Sequence, residues 1–162
     1  MEVEESNIYS VFDLLYKQYE KERLDYFKKH KKISNYDTEN IMYHLLNKVL
    51  EDYKDLTFTF RYPVNILIKD KTLLTEEERK YASHHNIHID FLIYNKISKI
   101  PLLAVEVDGY KYHKKDNKQK ERDILKNNIL SKYNIPLIRL TTNSSREESI
   151  IRSKLDEIVS NK

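Results

Sequence analysis

The spacing of apolar residues along the chain predicts five helices. In the first, second and fourth of them apolar residues recur about every three to four positions, as expected when one face is buried. The predicted helices cover residues 8–30, 38–53, 75–82, 116–133 and 147–158. Residues 33–35 separate the first from the second, and Thr75 and Glu78 have the spacing of a capping box at the start of the third.

Short apolar or β-branched runs predict four strands between these helices. They cover residues 56–68, 88–94, 102–108 and 136–140, and Pro63 is expected to bend the first strand or divide it in two. A lysine-bearing connection between the second and third suits a hairpin or a longer turn. After the first helix the predicted order is α, β, α, β, β, α, β, α. This order indicates an α/β fold, with a mixed β-sheet flanked by α-helices.

Length and composition indicate a soluble globular protein with one main domain. The chain has 162 residues, of which 40% are hydrophobic and 13 are tyrosine, so it can form a core although 34% of its residues are charged. We expect residues 1–34 to form an N-terminal helical extension and residues 35–162 to form the domain. The extension could pack on the domain, mediate dimerisation or link the domain to a larger protein.

The amino-acid types that are missing restrict the chemistry of any site. Because there is no cysteine, disulfides, thiolate nucleophiles and cysteine-bound zinc are excluded, and a metal must have oxygen or imidazole ligands. The N-terminal residues lack the basic start and apolar core of a signal peptide, and no apolar run approaches the length of a membrane span. We therefore expect a cytoplasmic protein with no membrane partner.

The single glycine of the chain directly follows two acidic residues on a predicted strand. Glu106 and Asp108 are two positions apart, so both project from one face, and Gly109 permits a turn or a close backbone approach beyond them. Asp90 lies in the apolar strand HIDFLIY, where a charge is costly without a partner. If the two strands pair, three carboxylates converge, and a divalent cation such as Mg²⁺ would relieve their repulsion.

Polar residues occupy the expected inward face at the start of two helices. Gln119, Arg122 and Lys126 fall on the stripe that Leu130 continues, and Glu39 leads the apolar stripe of the earlier helix. Fraying of the helix ends into solvent would explain either helix alone. A polar site shared with the carboxylates explains both helices together.

Several of these residues lie in segments that together match a known family. The segments are NYDTENIMYHLL, HIDFLIYN, EVDGYKYH, RDILKNNIL and PLIRLTT, and they contain Asp90, Glu106, Asp108, Gly109, His113, Arg122, Asp123 and Lys126. Over residues 36–158 the chain resembles the PD-(D/E)XK, or restriction-endonuclease-like, nuclease superfamily. More narrowly, it is similar to a nuclease-like domain of previously unknown function. That domain occurs alone or at the C-terminus of bacterial superfamily-1 helicases and is related to very-short-patch repair nucleases.

The resemblance implies an activity and a metal site. Asp90 and Glu106 would hold Mg²⁺, for which Mn²⁺ could substitute, and Glu39 would match an acidic residue that some members add from the first core helix. The implied fold is a restriction-endonuclease-like sheet with an extra N-terminal helix. The implied activity is Mg²⁺-dependent endonuclease hydrolysis of DNA phosphodiester bonds, in DNA repair, defence or helicase-associated DNA processing.

The third catalytic position departs from the superfamily pattern, since it holds Asp108 where lysine is usual. In related nucleases a lysine or glutamine from the following helix can take that role, so Lys126 and Gln119 are the candidate replacements. If no cation reached the attacking water, the chain would instead be a catalytically inactive nucleic-acid-binding module of a helicase-type system.

Contacts to the nucleic-acid backbone are expected from a basic segment. The net charge of +3 does not itself predict a polyanionic partner, but Lys and Arg are concentrated in residues 111–126. The expected contacts are Arg122, Lys111, His113, Lys115 and Lys118. DNA is the expected substrate and RNA stays open, and a helicase partner and a homodimer are further possibilities.

A zinc protein is a third hypothesis. His84, His85 and His88 lie near Asp90 in sequence, and imidazoles can bind zinc. However, HHNIHID lacks the HExxH pattern, and a strand that begins near His88 would disrupt the one-faced helical arrangement that such a motif requires.

Overall fold

The computed structural model describes residues 2–29, 32–108, 117–142 and 146–160. These residues form an α/β fold with a four-stranded mixed sheet, which confirms the predicted fold class. In chain order the elements are α1 (Glu2–Lys29), α2 (Asp37–Leu50), β1 (Leu56–Pro63), α3 (Val64–Leu67), α4 (Glu76–Ser83), β2 (His88–Asn95), β3 (Pro101–Val107), α5 (Asn117–Lys132), β4 (Leu137–Leu140) and α6 (Glu147–Ser160). No helix in the described part of the chain is long and apolar enough to cross a membrane.

The chain divides into two compact units. One unit, Leu50–Leu140, contains the whole sheet with α3, α4 and α5. The other consists of Met1–Val49 and Thr141–Lys162, and contains α1, α2 and α6. The predicted boundary between an extension and a domain at residue 34 stays a prediction.

The sheet has the strand order β1-β2-β3-β4. The pairs β1/β2 and β2/β3 are antiparallel, in agreement with the predicted turn between β2 and β3, whereas β3 and β4 are parallel. The parallel connection runs through α5, as a crossover between parallel strands requires. The carboxyl ends of β3 and β4 therefore meet at the end of the sheet where β2 begins.

The segment after β1 differs from the prediction of strand over residues 56–68. Strand β1 ends at Pro63, and Val64–Leu67 form the single helical turn α3. Pro63 has φ −67° and no amide hydrogen, which suits the residue that precedes a helix. The turn places Val64 and Ile68 in the core, where both are almost fully buried.

Helix α5 is anchored to the sheet by its second half. Ile129 and Leu130 pack in a buried cluster with Leu92 of β2 and Ala104 of β3. Lys132, in the last turn, forms an ion pair of 2.6 Å with Glu78 of α4. The first half of α5 is thereby positioned beside the carboxyl end of β3.

Helix α4 begins with the predicted capping box. The Thr75 side chain accepts a hydrogen bond from the Glu78 amide at 3.3 Å, and the Glu78 side chain accepts one from the Thr75 amide at 2.8 Å. The two bonds satisfy amide groups that the first helical turn leaves without a helical partner. They fix the start of the helix that carries Lys80 and Tyr81.

The unit of α1, α2 and α6 contains several buried polar groups. Asn40 accepts hydrogen bonds at 3.1 Å from the amides of Ile33 and Ser34, so its side chain holds the predicted break against the start of α2. At the surface of this unit, Lys48 of α2 forms an exposed ion pair of 2.8 Å with Glu148 of α6. On α1, Glu20 is buried and pairs with Arg23 at 2.9 Å.

Candidate active site

A polar pocket of about 240 Å³ lies where β2 begins and β3 and β4 end. Its walls come from α4, the α4–β2 turn, the three strand ends and the first half of α5. The lining residues are Tyr81, Asn86, Ile87, His88, Asp90, Glu106, Val107, Asp108, Gln119, Arg122, Asp123, Lys126 and Arg139. Ligands commonly bind at the carboxyl ends of strands in α/β sheets, so this pocket is the candidate active site.

Asp90 and Glu106 face the same side of the sheet, and the carboxylate of each accepts a hydrogen bond from the backbone of the other's strand. The backbone pairing of β2 with β3 is regular at Phe91 and Val105. One step beyond it, the Asp90 amide donates to Glu106 Oε1 at 3.3 Å and the Val107 amide donates to Asp90 Oδ2 at 2.8 Å. Asp90, Glu106 and Asp108, the three carboxylates that the sequence predicts to converge, all line this pocket.

Lys126 projects from α5 into this pair of carboxylates. Its Nζ lies 2.8 Å from Glu106 Oε2 and donates to the His88 carbonyl oxygen at 2.9 Å. The side chains of Lys126 and Glu106 are 11% and 9% exposed, so the two charges are largely shielded from water. Buried charges persist when each has a close partner, and Lys126 and Glu106 satisfy that condition for each other. The inward polar stripe predicted for α5 is confirmed at this residue.

Gln119 and Asp108 are positioned differently from Lys126. Gln119 lies two turns earlier on α5, and its amide donates to Asp123 Oδ1 at 3.2 Å. The backbone amide of Asp108 donates to the Leu140 carbonyl at 2.8 Å, which ties this end of β3 to β4. Of the two candidates to replace the usual lysine, Lys126 is the one whose amine the structure places against Glu106.

Arg139 is a pocket residue that the sequence interpretation did not select. It pairs with Glu106 in the parallel register of β3 and β4. Its Nη1 lies 3.8 Å from Glu106, 3.9 Å from Asp108 and 3.7 Å from Asp123. An arginine inside the short apolar strand LIRL was the available signal, because such a position is costly for a charge without partners.

The described residues that line the pocket carry an excess of negative charge. Four are carboxylates (Asp90, Glu106, Asp108 and Asp123) and three are permanent cations (Arg122, Lys126 and Arg139). A phosphodiester would therefore meet net repulsion here. A bound divalent cation would reverse the sign of the charge and favour the phosphate.

The chemistry of these donors fits Mg²⁺. In the part of the chain that the structure describes, no group of three or more His, Asp or Glu side chains is arranged to hold a metal ion. Mg²⁺ is usually bound by only one or two carboxylates, and water and substrate phosphates complete its octahedral shell. The carboxylates of Asp90 and Glu106 provide such a pair.

Comparison with known families places the chain in a group defined by sequence. The model of a family described as "Protein of unknown function (DUF2726)" matches residues 31–158. The chain belongs to the DUF2726 family. Comparison with curated proteins and with solved structures found no match. The matched range contains all four strands, α2 to α5 and most of α6, and with them the whole candidate active site.

Tyr81 is a second pocket residue of this DUF2726 chain that the sequence interpretation missed. Burial, reinforced by the negative charges of Glu106 and Asp123, raises the pKa of Tyr81 to about 12, although the nearby cations Arg122 and Arg139 oppose the shift. The phenol therefore stays protonated at neutral pH and can act as a hydrogen-bond donor in the pocket. Its sequence context, a lone tyrosine near the end of a charged helix, carries no comparable signal.

The three histidines of the zinc hypothesis do not share one element. Helix α4 ends at Ser83 and β2 begins at His88, while His84 and His85 lie in the turn between them. The rings of His84 and His85 are stacked with centroids 4.9 Å apart, and His88 Nε2 lies 3.6 Å from Asp90 Oδ1. His88 thus borders the carboxylate site.

The remaining predicted residues divide into three groups. Glu39 belongs to the unit of α1, α2 and α6, where it is buried and accepts a hydrogen bond from the Ser34 hydroxyl, so its catalytic role stays a prediction. Arg122 lines the pocket, and Lys118 is exposed on the first turn of α5. The predicted turn at Gly109 and the predicted contacts from Lys111, His113 and Lys115 lie outside the described residues.

Proposed function

We propose that this chain is a Mg²⁺-dependent endonuclease that hydrolyses DNA phosphodiester bonds. The observation that carries the proposal is the arrangement of Asp90, Glu106 and Lys126, in which two carboxylates from paired strands meet one lysine from the crossover helix. The excess of carboxylates in the pocket supports a divalent cation as a further component of the site. The resemblance of the sequence to PD-(D/E)XK nucleases supports the choice of reaction and the restriction-endonuclease-like form of the fold.

Each of the three residues has a definite task in this proposal. Asp90 and Glu106 hold the ion, for which Mn²⁺ can substitute. When bound, Mg²⁺ polarises a phosphate oxygen and lowers the pKa of a water molecule. The Lys126 ammonium orients the attacking water and offsets the negative charge that develops on the phosphate. The water oxygen forms a bond to phosphorus as the bond to one bridging oxygen breaks, and the proton that the water loses is balanced by the proton that the leaving oxygen gains.

The position of Lys126 supports its replacement of the lysine that is usual at the third position. Asp108 cannot supply a positive charge there, and it lies 3.9 Å from Arg139. Lys126 comes from a different element but reaches the same carboxylate, with its Nζ 2.8 Å from Glu106. The charge that the superfamily pattern requires is thus available from α5.

A cleavage assay with isosteric variants tests the proposal. Asp90→Asn keeps an oxygen that can accept the Val107 amide, and Glu106→Gln keeps one for the Asp90 amide, so both remove charge with the least structural change. With Mg²⁺ and supercoiled or linear DNA we expect each variant to lose at least about 100-fold in rate, about 2.7 kcal/mol of transition-state stabilisation. Glu121→Gln, on the exposed face of α5, is the matched control and should cut normally. Cutting that survives both pocket substitutions would refute the assignment of the site.

A catalytically inactive nucleic-acid-binding module is the second candidate, and one observation favours it. Lys126 is bound by both Glu106 and the His88 carbonyl, so the amine is already engaged. If that engagement persisted with substrate, the Lys126 ammonium would not reach the attacking water. DNA binding by the wild type without Mg²⁺- or Mn²⁺-dependent cutting would establish this alternative.

The biological setting follows from the resemblance and belongs to the same proposal. We place the activity in DNA repair, defence or helicase-associated DNA processing, with a helicase and a second copy of the chain as possible partners. RNA is the alternative substrate, and the same cleavage assay with RNA distinguishes the two. We include a cytoplasmic location in the same proposal.

A further inference from the structure

A second pocket, which we name the basic pocket, adjoins the candidate active site. It has a volume of about 340 Å³, and its lining residues are Lys80, Tyr81, His84, Asn86, Ile87 and Arg122. Four of them, Tyr81, Asn86, Ile87 and Arg122, also line the candidate active site, which we call the carboxylate pocket. The two pockets therefore share a wall, and both lie in the unit that contains the sheet.

The basic pocket has the opposite charge to its neighbour. Lys80 and Arg122 are permanent cations, and none of the described residues that line it is acidic. Lys80 forms an ion pair of 3.1 Å with Glu76, but these side chains are 77% and 84% exposed. Exposed pairs of this kind contribute little, so Lys80 can turn to another anion at small cost.

The backbone of the α4–β2 turn holds the side chain of His84 in place in the basic pocket. The Asn86 amide donates to His84 Nδ1 at 3.2 Å, and the Ile87 amide donates to the His84 carbonyl at 3.1 Å. Because Nδ1 accepts, the proton of a neutral His84 ring lies on Nε2, which can donate to a ligand. Helix α4, which precedes this turn, is fixed at its start by the capping box of Thr75 and Glu78.

We infer that the basic pocket binds a backbone phosphate of the substrate strand, one next to the phosphodiester held at Asp90 and Glu106. The inference rests on the proposed function for its substrate, and it assigns Lys80 and His84 as phosphate contacts. The carboxylate pocket repels a phosphate until a cation binds, whereas the basic pocket attracts one in either state. Its volume corresponds to roughly ten water molecules, which is room for a phosphate with part of its hydration shell.

This division of charge separates substrate affinity from chemistry. Lys80 and His84 lie in the basic pocket but not in the lining of the carboxylate pocket. Their loss should weaken DNA binding, and it should reduce the dependence of binding on salt, because each phosphate contact releases counterions. A purely structural role would change neither the salt dependence nor the response to one particular phosphate.

A binding experiment without divalent cations tests the inference. Fluorescence anisotropy measures the Kd of a short DNA oligonucleotide and of a series in which one phosphate at a time is a neutral methylphosphonate. We expect one neutral position to weaken wild-type binding about tenfold. The double substitution Lys80→Gln, His84→Gln should weaken binding of the unmodified oligonucleotide to a similar extent, and should show no further loss at that position.

The controls separate this inference from the proposed nuclease activity. Lys54→Gln removes an exposed lysine before β1 and should leave both Kd and its salt dependence unchanged. Lys80→Gln alone, which keeps His84 and its turn, should lower the slope of log Kd against log salt by about one. A double variant that binds like wild type, or that still responds to the neutral phosphate, overturns the inference while leaving the nuclease proposal intact. If the Kd depends on one phosphate as expected but the protein does not cut DNA, the inference about the basic pocket is supported and the proposed nuclease activity is refuted.

Discussion

Replacing Lys126 with methionine should make the stability of the protein depend on Mg²⁺. Methionine keeps the unbranched apolar part of the side chain but removes the ammonium that lies 2.8 Å from Glu106. Among the described residues, the Asp90 amide and the Arg139 guanidinium, 3.8 Å away, then remain as partners of the Glu106 side chain, which is 9% exposed. Under the proposed function, Mg²⁺ bound at Asp90 and Glu106 would take the place of the missing charge.

The expected size of the effect follows from this burial. Removing one member of a buried ion pair costs about 3–5 kcal/mol, and the remaining partners of Glu106 place this case near 3 kcal/mol. For a chain of this length that corresponds to a fall in Tm of roughly 6–12 °C. Mg²⁺ at about 100 times its Kd returns close to 2.7 kcal/mol, which is most of the loss. The wild type gains less, because the ammonium and the ion compete for Glu106.

Thermal unfolding followed by circular dichroism, with and without Mg²⁺, measures both effects. The matched control is Lys132→Met on the same helix, which breaks the 2.6 Å ion pair with the buried carboxylate of Glu78. This control should also lower Tm, but Mg²⁺ should not restore it, since Glu78 is held by Thr75 and not by a second acid. Equal effects of Mg²⁺ on the two variants, or no effect on Lys126→Met, would refute the reasoning.

Three further expectations concern other parts of the chain. Burial raises the pKa of Glu20 above its ordinary value of 4.5, so the stabilising effect of its protonation is complete below that pH and is lost as the pH rises. Glu20→Gln should therefore raise the free energy of unfolding in urea at neutral pH but not at acidic pH. The exposed Glu22→Gln is the control and should show no such pH dependence. Thr75→Ala should lower the free energy of unfolding by about 1 kcal/mol through loss of the cap, and an unchanged urea midpoint would contradict that role. Arg139→Met removes a guanidinium within 3.9 Å of three carboxylates and should tighten Mn²⁺ binding roughly tenfold by calorimetry; weaker binding would contradict the charge argument.

Local periodicity was sufficient to predict much of the candidate site. Alternation along a strand placed Glu106 and Asp108 on one face, and the helical period placed Lys126 on the inward side of α5; the structure brings Lys126 to Glu106. The capping box at Thr75 was likewise predictable, because all of its atoms lie within one turn of chain. These features depend on neighbours in sequence, and neighbours are visible in the sequence.

The features that were missed depend on pairing between distant segments. Arg139 enters the pocket because β4 pairs in parallel with β3 in the register that sets it beside Glu106, and nothing near residue 139 specifies that register. Tyr81 borders the site because α4 packs beside α5. The turn Val64–Leu67 was assigned to a strand because its apolar residues are equally suited to a strand, and burial of Val64 decides between the two only in the folded chain.

The hydrogen bonds from Asp90 and Glu106 to each other's strand have a consequence for reading related sequences. These two side chains fasten β2 to β3 one step beyond the backbone pair of Phe91 and Val105, so selection for a stable sheet can preserve both acids whether or not the chain is a nuclease. A homologue that keeps the pair is therefore not shown to cut DNA by that fact. While Glu106 is present, Lys126 is preserved for the same reason, because loss of its amine would leave that buried carboxylate without the charge that lies 2.8 Å away.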